Sequence, residues 1–173
     1  MLLVDACIFA SFAFSYIHFS MRLEVCPPPG AALPAPLWSW LSCGLLLAGS
    51  AAMWLACCPR HLLAGASQRG LRLLVMAGLL CMAGSFGCDL AGQVLARLAP
   101  TRDGWSASVA VLLAYQGLHV LLLGLVAPYL CARSWSGHLT EASQATLKNA
   151  ALIWHYTTAQ GLAAALLLRA MAA

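Results

Sequence analysis

The residues that could do chemistry in this chain are a few acids and histidines set among long apolar stretches. Asp5 and Asp89 lie within such stretches, and so do His18, His119 and His155. Ionisable groups cost free energy in hydrocarbon unless they face protein, water or a partner. Asp5 and Asp89 are therefore the candidate buried acids of this sequence.

The histidines suggest one specific chemistry, which is haem ligation. A pair of histidines on two different helices can hold a haem iron, and His119 and His155 can sit at similar depth. This pair makes a haem-b membrane cytochrome a remote alternative. The same residues also fit a role in helix packing, where interhelical hydrogen bonds contribute about 0.6–2 kcal/mol each.

Known catalytic motifs are absent from the sequence. It contains no glycine-rich phosphate loop, no His-Glu-x-x-His and no Gly-x-Ser-x-Gly, the patterns that mark nucleotide, zinc and serine-hydrolase sites. We therefore predict no catalytic, metal-binding or cofactor-binding residue, and we predict that the chain is not an enzyme by itself.

Polar side chains recur at helical spacing, which places them on shared helix faces. The sets are Ser11, Ser15 and His18; Ser85, Asp89 and Gln93; Tyr115, Gln116 and His119; and Trp154, Thr157, Thr158 and Gly161. From these regions we select as candidates for contact with lipid or with neighbouring helices His18, Gln116, His119, Trp154, His155 and Thr158. The second predicted helix shows no such set.

The composition is that of a membrane protein. Of 173 residues, 62% are hydrophobic and only 8% are charged, against about 25% charged in an average soluble domain. The mean hydropathy is +0.85. The net charge of +4 comes from scattered residues, with no basic patch for a phosphate backbone. These values exclude a soluble enzyme, a disordered chain and a nucleic-acid-binding protein.

The apolar runs predict five membrane-spanning helices. Such a helix needs about 20 mostly apolar residues, and charges, prolines and glycines interrupt the runs. The predicted spans are residues 2–21, 37–58, 71–96, 106–131 and 147–170. The predicted fold is all-α, a polytopic bundle of five transmembrane helices that forms a single domain over residues 1–173.

The basic residues favour a cytoplasmic N-terminus by a small margin. Cytoplasmic loops are enriched in Lys and Arg. The side of the predicted topology that holds the N-terminus carries Arg60, Arg69, Arg72, Arg133 and Lys148, and the other side carries Arg22, Arg97, Arg102 and Arg169. We therefore expect the N-terminus in the cytoplasm.

Two motifs in the second half of the chain resemble subunit III of the haem–copper oxidases. Residues 115–120 read Y-Q-G-L-H-V and are similar to the G-F-H-G-L-H-V signature of that family. Residues 152–158 read L-I-W-H-Y-T-T and resemble the Y-W-H-F-V-D motif at the start of the family's last helix.

Three further landmarks resemble the family in the same order. Asp5, followed thirteen residues later by His18, resembles the Glu and His of the family's third helix. Residues 26–30 read C-P-P-P-G and resemble its C-W-P-P-T-G loop, and residues 99–104 contain the A-P and D-G pairs that precede the G-L-H-V helix. The resemblance covers nearly the whole chain and indicates a short, divergent member whose five helices correspond to the last five of seven.

The chain differs from the family motifs at three polar positions. Asp5 stands where the family has Glu, Gln116 replaces the first His of the signature, and Thr158 replaces the acid of the last motif.

The resemblance implies an accessory role in respiration. In the family, subunit III carries no metal and no haem, packs against the catalytic subunit I and other oxidase subunits, binds phospholipid, and supports stability and proton uptake. Haem and copper are then expected in partner subunits. The complex, in a bacterial inner membrane, would reduce oxygen with electrons from cytochrome c or quinol. An accessory subunit of a nitric oxide reductase is the alternative.

Overall fold

Five long helices account for most of the described chain, which in this computed structural model comprises residues 2–57, 67–136 and 144–171. They are α1 (Leu2–Met21), α2 (Pro36–Ala56), α3 (Ser67–Leu95), α4 (Gly104–Trp135) and α5 (Gln144–Ala170). All five are long and apolar enough to cross a membrane, and no strand lies in these ranges. The prediction of an all-α bundle of five transmembrane helices is confirmed, and the chain is a multi-pass membrane protein.

The fourth helix is longer at both ends than the sequence pattern predicts. Asp103 caps its start, because the side chain accepts a hydrogen bond from the backbone N–H of Ser106 at 2.7 Å. Such caps satisfy amides that have no partner within the helix. At its other end α4 passes Pro128 and continues to Trp135. Its 32 residues span about 48 Å, more than the roughly 30 Å of a hydrocarbon core.

The other helix bounds differ by a few residues from prediction. α2 begins at Pro36, one residue early, and proline suits this position because the first turn needs no N–H donor. α3 and α5 begin at Ser67 and Gln144, four and three residues before the predicted starts. The residues of these first turns are mostly polar, so the apolar pattern did not include them. Cys58, the last residue of the predicted second span, lies outside the described residues.

α2 and α3 form the most extensive helix pair, and they cross where two glycines meet. A Cβ on Gly49 would lie 3.0 Å from the carbonyl oxygen of Gly78, and a Cβ on Gly78 would lie 3.2 Å from that of Gly49. Small residues permit this approach of two backbones. A Cβ on Gly78 would also lie 3.2 Å from the ring of Trp154 in α5. The α5 helix therefore packs against the same crossing.

α4 and α5 connect the α2–α3 pair to α1. α4 packs on α3, α5 packs on α2 and α4, and α1 packs mainly on α4. The larger buried cluster surrounds Trp154, which is fully buried. A smaller one forms between α1 and α4 around Tyr16 and Trp105.

One end of the bundle is organised by the proline-rich segment between α1 and α2. We call it the proline-loop end; it comprises residues 22–35 and 96–103 together with the last turn of α5. The guanidinium of Arg169 donates to the carbonyl of Pro34 at 2.7 Å and to the hydroxyl of Ser39 at 2.9 Å, and that of Arg102 donates to the carbonyl of Pro29. These contacts fasten the segment to the bundle.

Candidate functional site

Asp5 of α1 is held by two side chains of α4. Its Oδ1 accepts a hydrogen bond from the Tyr115 hydroxyl at 2.6 Å, and its Oδ2 lies 3.0 Å from Nε2 of His119. Tyr115 and His119 are four residues apart, which places them on one face of α4. The Tyr156 ring of α5 lies 5.7 Å from the His119 ring, centroid to centroid, and its buried hydroxyl makes no hydrogen bond within the described residues. We call Asp5, Tyr115, His119 and Tyr156 the Asp5 cluster.

The hydrogen bonds of His119 fix how many protons the pair with Asp5 can hold. Nδ1 lies 2.9 Å from the backbone carbonyl of Tyr115, and because a carbonyl only accepts, Nδ1 must carry a hydrogen. One further proton then lies between Nε2 and the Asp5 carboxylate. The pair is either imidazolium with carboxylate or neutral imidazole with carboxylic acid, and both states have the same net charge.

Aromatic rings enclose the cluster on the α1 side. Phe9 and Phe12 place their ring centroids 6.4 Å and 5.2 Å from that of Tyr115. The His119 side chain is 10% exposed and that of Asp5 is 28% exposed. The histidine is therefore inside the bundle, and the carboxylate remains open towards its outer surface.

A second polar group joins α2 to α3 around Asp89. The Ser42 hydroxyl lies 2.7 Å from Oδ2 of Asp89 and 2.8 Å from the Ser85 hydroxyl. Because the carboxylate accepts, Ser42 donates to Asp89 and Ser85 donates to Ser42. The structure thus places the second candidate acid with Ser85, which the sequence grouped with it, and with Ser42.

Gln116 faces a different part of the bundle from Tyr115 and His119, although the three form one sequence cluster. Its side chain lies against Gly161 of α5, where a Cβ would be 2.8 Å from the Gln116 amide nitrogen. It is 4% exposed, and neither amide atom has a hydrogen-bond partner in the described ranges. A buried polar group left unpaired costs about 1–3 kcal/mol.

The three candidates on α5 contact other helices. Nδ1 of His155 lies 2.6 Å from the Ser50 hydroxyl of α2. The Thr158 hydroxyl lies 3.4 Å from the carbonyl of Leu46, also in α2, and 3.1 Å from that of Trp154. The ring of Trp154 is in the core, and its N–H has no hydrogen-bond partner among the described residues.

His18 is separate from both polar groups. It is exposed on the outer face of α1, with its ring centroid 6.3 Å from that of Phe14 and 5.9 Å from that of Phe19. Ser11 and Ser15, which share its sequence pattern, are also exposed and donate to carbonyls of their own helix. This set therefore faces outwards, towards lipid or a partner protein.

Three of the four ring nitrogens of His119 and His155 lie within hydrogen-bonding distance of other protein atoms. Both ring nitrogens of His119 are engaged in hydrogen bonds, and Nδ1 of His155 is engaged with Ser50. No group of three His, Cys, Asp or Glu side chains that could hold a metal ion occurs in residues 2–57, 67–136 and 144–171.

Sequence reasoning missed the partners contributed by α2 and α5. Ser42 and Ser50 hydrogen-bond with candidate residues of α3 and α5, and Tyr156 completes the Asp5 cluster. Serine is common in apolar helices as a small packing residue, so its type alone carries little signal. Tyr156 follows His155 directly in the sequence, and this proximity to a candidate residue was the available signal.

Comparison with known proteins leaves the family open. No protein-family model and no curated protein matches this chain. A functional interpretation therefore depends on the geometry of the two polar groups and on the resemblance of the motifs.

Proposed function

We propose that this chain is an accessory, non-redox subunit of a haem–copper terminal oxidase in a bacterial inner membrane, similar to subunit III. It packs beside the catalytic subunit, binds phospholipid, and supports the stability and proton uptake of the complex during oxygen reduction. Its N-terminus lies in the cytoplasm, and the haem and copper are in the partner subunits.

The observation that carries this proposal is the Asp5 cluster. Asp5 belongs to the first family-like landmark, Tyr115 and His119 belong to the fourth, and Tyr156 belongs to the last. Asp5 and His119 are 114 residues apart in the chain. The polar residues of these three landmarks nevertheless meet at one site. Convergence of this kind supports a relationship with the family over a chance likeness of short motifs.

The outer surface of α1 supports an accessory role beside a membrane partner. Its exposed residues include Leu3, Val4 and Phe14, which are 84%, 67% and 68% exposed, and the open side of the Asp5 carboxylate belongs to the same helix. A membrane-embedded catalytic subunit on this face would cover these apolar side chains and the exposed His18.

The proposal is tested by comparing oxygen consumption with and without the chain. Oxygen consumption is followed through prolonged turnover in cells that lack the chain and in cells that express it again as wild type, Asp5→Leu or Ser15→Ala. Ser15 is the matched control, because it is on the same helix and hydrogen-bonds only within it. We expect oxygen consumption to fall without the chain, and to be restored by wild type and Ser15→Ala but not by Asp5→Leu.

Measuring nitric oxide consumption by the same membranes distinguishes an oxidase subunit from a nitric oxide reductase subunit. Unchanged oxygen consumption with a loss of nitric oxide consumption would replace the oxidase assignment by the nitric oxide reductase assignment. No change in either gas would contradict both.

A further inference from the structure

A cavity of about 50 Å³ with a partly polar lining lies between α2, α3, α4 and α5, apart from the Asp5 cluster. Its polar lining consists of Ser39, Asp89, Gln93, Gln116 and Arg169. Four helices contribute these residues, and apolar residues of α2, α4 and α5 together with Leu33 and Pro34 of the proline-rich segment form the remaining wall.

The polar lining extends from the proline-loop end towards the middle of the bundle. Arg169 is in the last turn of α5 and Ser39 in the first turn of α2. Asp89 precedes the end of α3 by six residues, about 9 Å of helix. Gln116 is twelve residues into α4, about 18 Å from its start.

The deepest lining residue lacks the hydrogen bonds that its amide requires. Both amide atoms of Gln116 are buried without a partner among the residues described, and Asp89 offers a carboxylate to which Ser42 donates. Polar cavities hold water where each molecule finds about 10–15 Å³ and two to four polar partners. A volume of about 50 Å³ therefore admits about three to five water molecules.

We propose that this cavity holds a small water cluster that joins Gln116 and Asp89 to the aqueous phase at the proline-loop end, and that Asp89 exchanges protons through it. In this exchange the carboxylate takes one proton from a hydronium ion in the cluster and returns it by the same route. The Cys43 thiol of α2 is near enough to Asp89 to interact electrostatically with it, while the Arg169 guanidinium of α5 and the neutral amide of Gln116 of α4 line the same cavity. The inference does not depend on the proposed oxidase role.

Radiolytic hydroxyl labelling tests whether the cavity is wet. X-rays convert bound water into hydroxyl radicals that modify adjacent side chains, and peptide mass spectrometry locates the products. In the full chain in lipid nanodiscs we expect labelling of Leu112, which is 2% exposed but lines the cavity. Met53 is the matched control: it is more reactive towards hydroxyl radicals, but it is fully buried in the dry core and should stay unlabelled.

The variant Gln116→Leu removes the amide while keeping a side chain of similar size. We expect it to lose most of the Leu112 labelling and to retain the wild-type labelling of exposed residues. Absence of label at Leu112 in wild type, or equal labelling in Gln116→Leu, would overturn the water cluster.

Infrared spectroscopy tests the proton exchange at Asp89. We expect the wild-type chain to show a carboxylic-acid band that rises and falls reversibly with pH, is missing in Asp89→Asn and is kept in Ser15→Ala. The band should shift to its deuterated position on mixing with D₂O, and the shift should be slower in Gln116→Leu. A band that does not titrate, or that exchanges equally fast in Gln116→Leu, would contradict the proposal.

Discussion

Asp5 and His119 share one proton between a carboxylate oxygen and Nε2, across 3.0 Å. The second histidine nitrogen donates to a carbonyl, and Tyr115 donates to the other carboxylate oxygen. Removal of the Asp5 carboxylate would therefore leave the Tyr115 hydroxyl and Nε2 of His119 without their hydrogen-bond partner inside the bundle.

Substitutions of Asp5 should separate hydrogen bonding from charge. Asp5→Asn keeps an oxygen that accepts from Tyr115 and an amide that donates to Nε2 of His119, so we expect a small change in stability. Asp5→Leu leaves both partners unpaired and should cost about 1–3 kcal/mol for each buried group. Thermal unfolding in detergent measures the difference, and equal melting temperatures for the two variants would contradict the hydrogen-bonded cluster.

The contact of Ser50 with His155 offers a second residue-scale prediction. We expect Ser50→Ala and His155→Leu each to destabilise the chain by about 0.6–2 kcal/mol, the range for interhelical hydrogen bonds in membranes. Since both variants remove the same hydrogen bond, the double variant should cost less than the sum of the two. An additive result in this double-mutant cycle would show that the two side chains do not interact.

At this scale the sequence predicted the residues of the site better than their grouping. Asp5, Tyr115, His119 and Asp89 stand out because ionisable or aromatic polar groups are rare in apolar helices. Gln116 was grouped with Tyr115 and His119, but it faces α5, since a step of one residue turns the side chain about 100° around the helix. Which helix lies on which side depends on tertiary packing, and spacing within one helix does not contain that information.

At the scale of helices, the spans were predictable and the crossing points were not. Apolar length indicated all five helices, whereas the cap at Asp103 set the start of α4. α3 carries two rows of small residues at helical spacing, one along Ala83, Gly87 and Ala91 and one along Gly84, Cys88 and Gly92. The backbones of α2 and α3 meet at Gly78, outside both rows. The second row still packs on α2, since a Cβ on Gly92 would lie 3.1 Å from the Cβ of Trp38, whereas a Cβ on Gly87 in the first row would meet nothing within 4 Å.

The glycines of α3 therefore provide a matched pair of variants. Gly78→Ala places a methyl group against the backbone of α2 and the ring of Trp154, and we expect a loss of about 1–3 kcal/mol from overpacking. Gly87→Ala meets open space and should be neutral, or stabilising by up to about 1 kcal/mol through its helix propensity. Reversible unfolding in mixed micelles measures both, and similar losses for the two variants would contradict the Gly49–Gly78 crossing.

At the scale of the whole molecule, two polar sites lie within one apolar bundle. The Asp5 cluster joins α1 to α4 and α5 near the outer surface, and the Asp89 group joins α2 to α3 beside the cavity. Neither site gathers three metal-ligating side chains among the described residues. The role we propose places the redox chemistry in a partner subunit.

The central claim is tested most directly by the composition of the complex that contains this chain. The tagged chain is purified from its own membranes in mild detergent, and the intact complex is analysed by native mass spectrometry together with its absorption spectrum. We predict one copy of the 18.2 kDa chain with a large catalytic subunit that carries haem and copper, and no haem on the chain once it is dissociated. A stoichiometric haem on the dissociated chain, or a complex without a haem–copper subunit, would contradict the account.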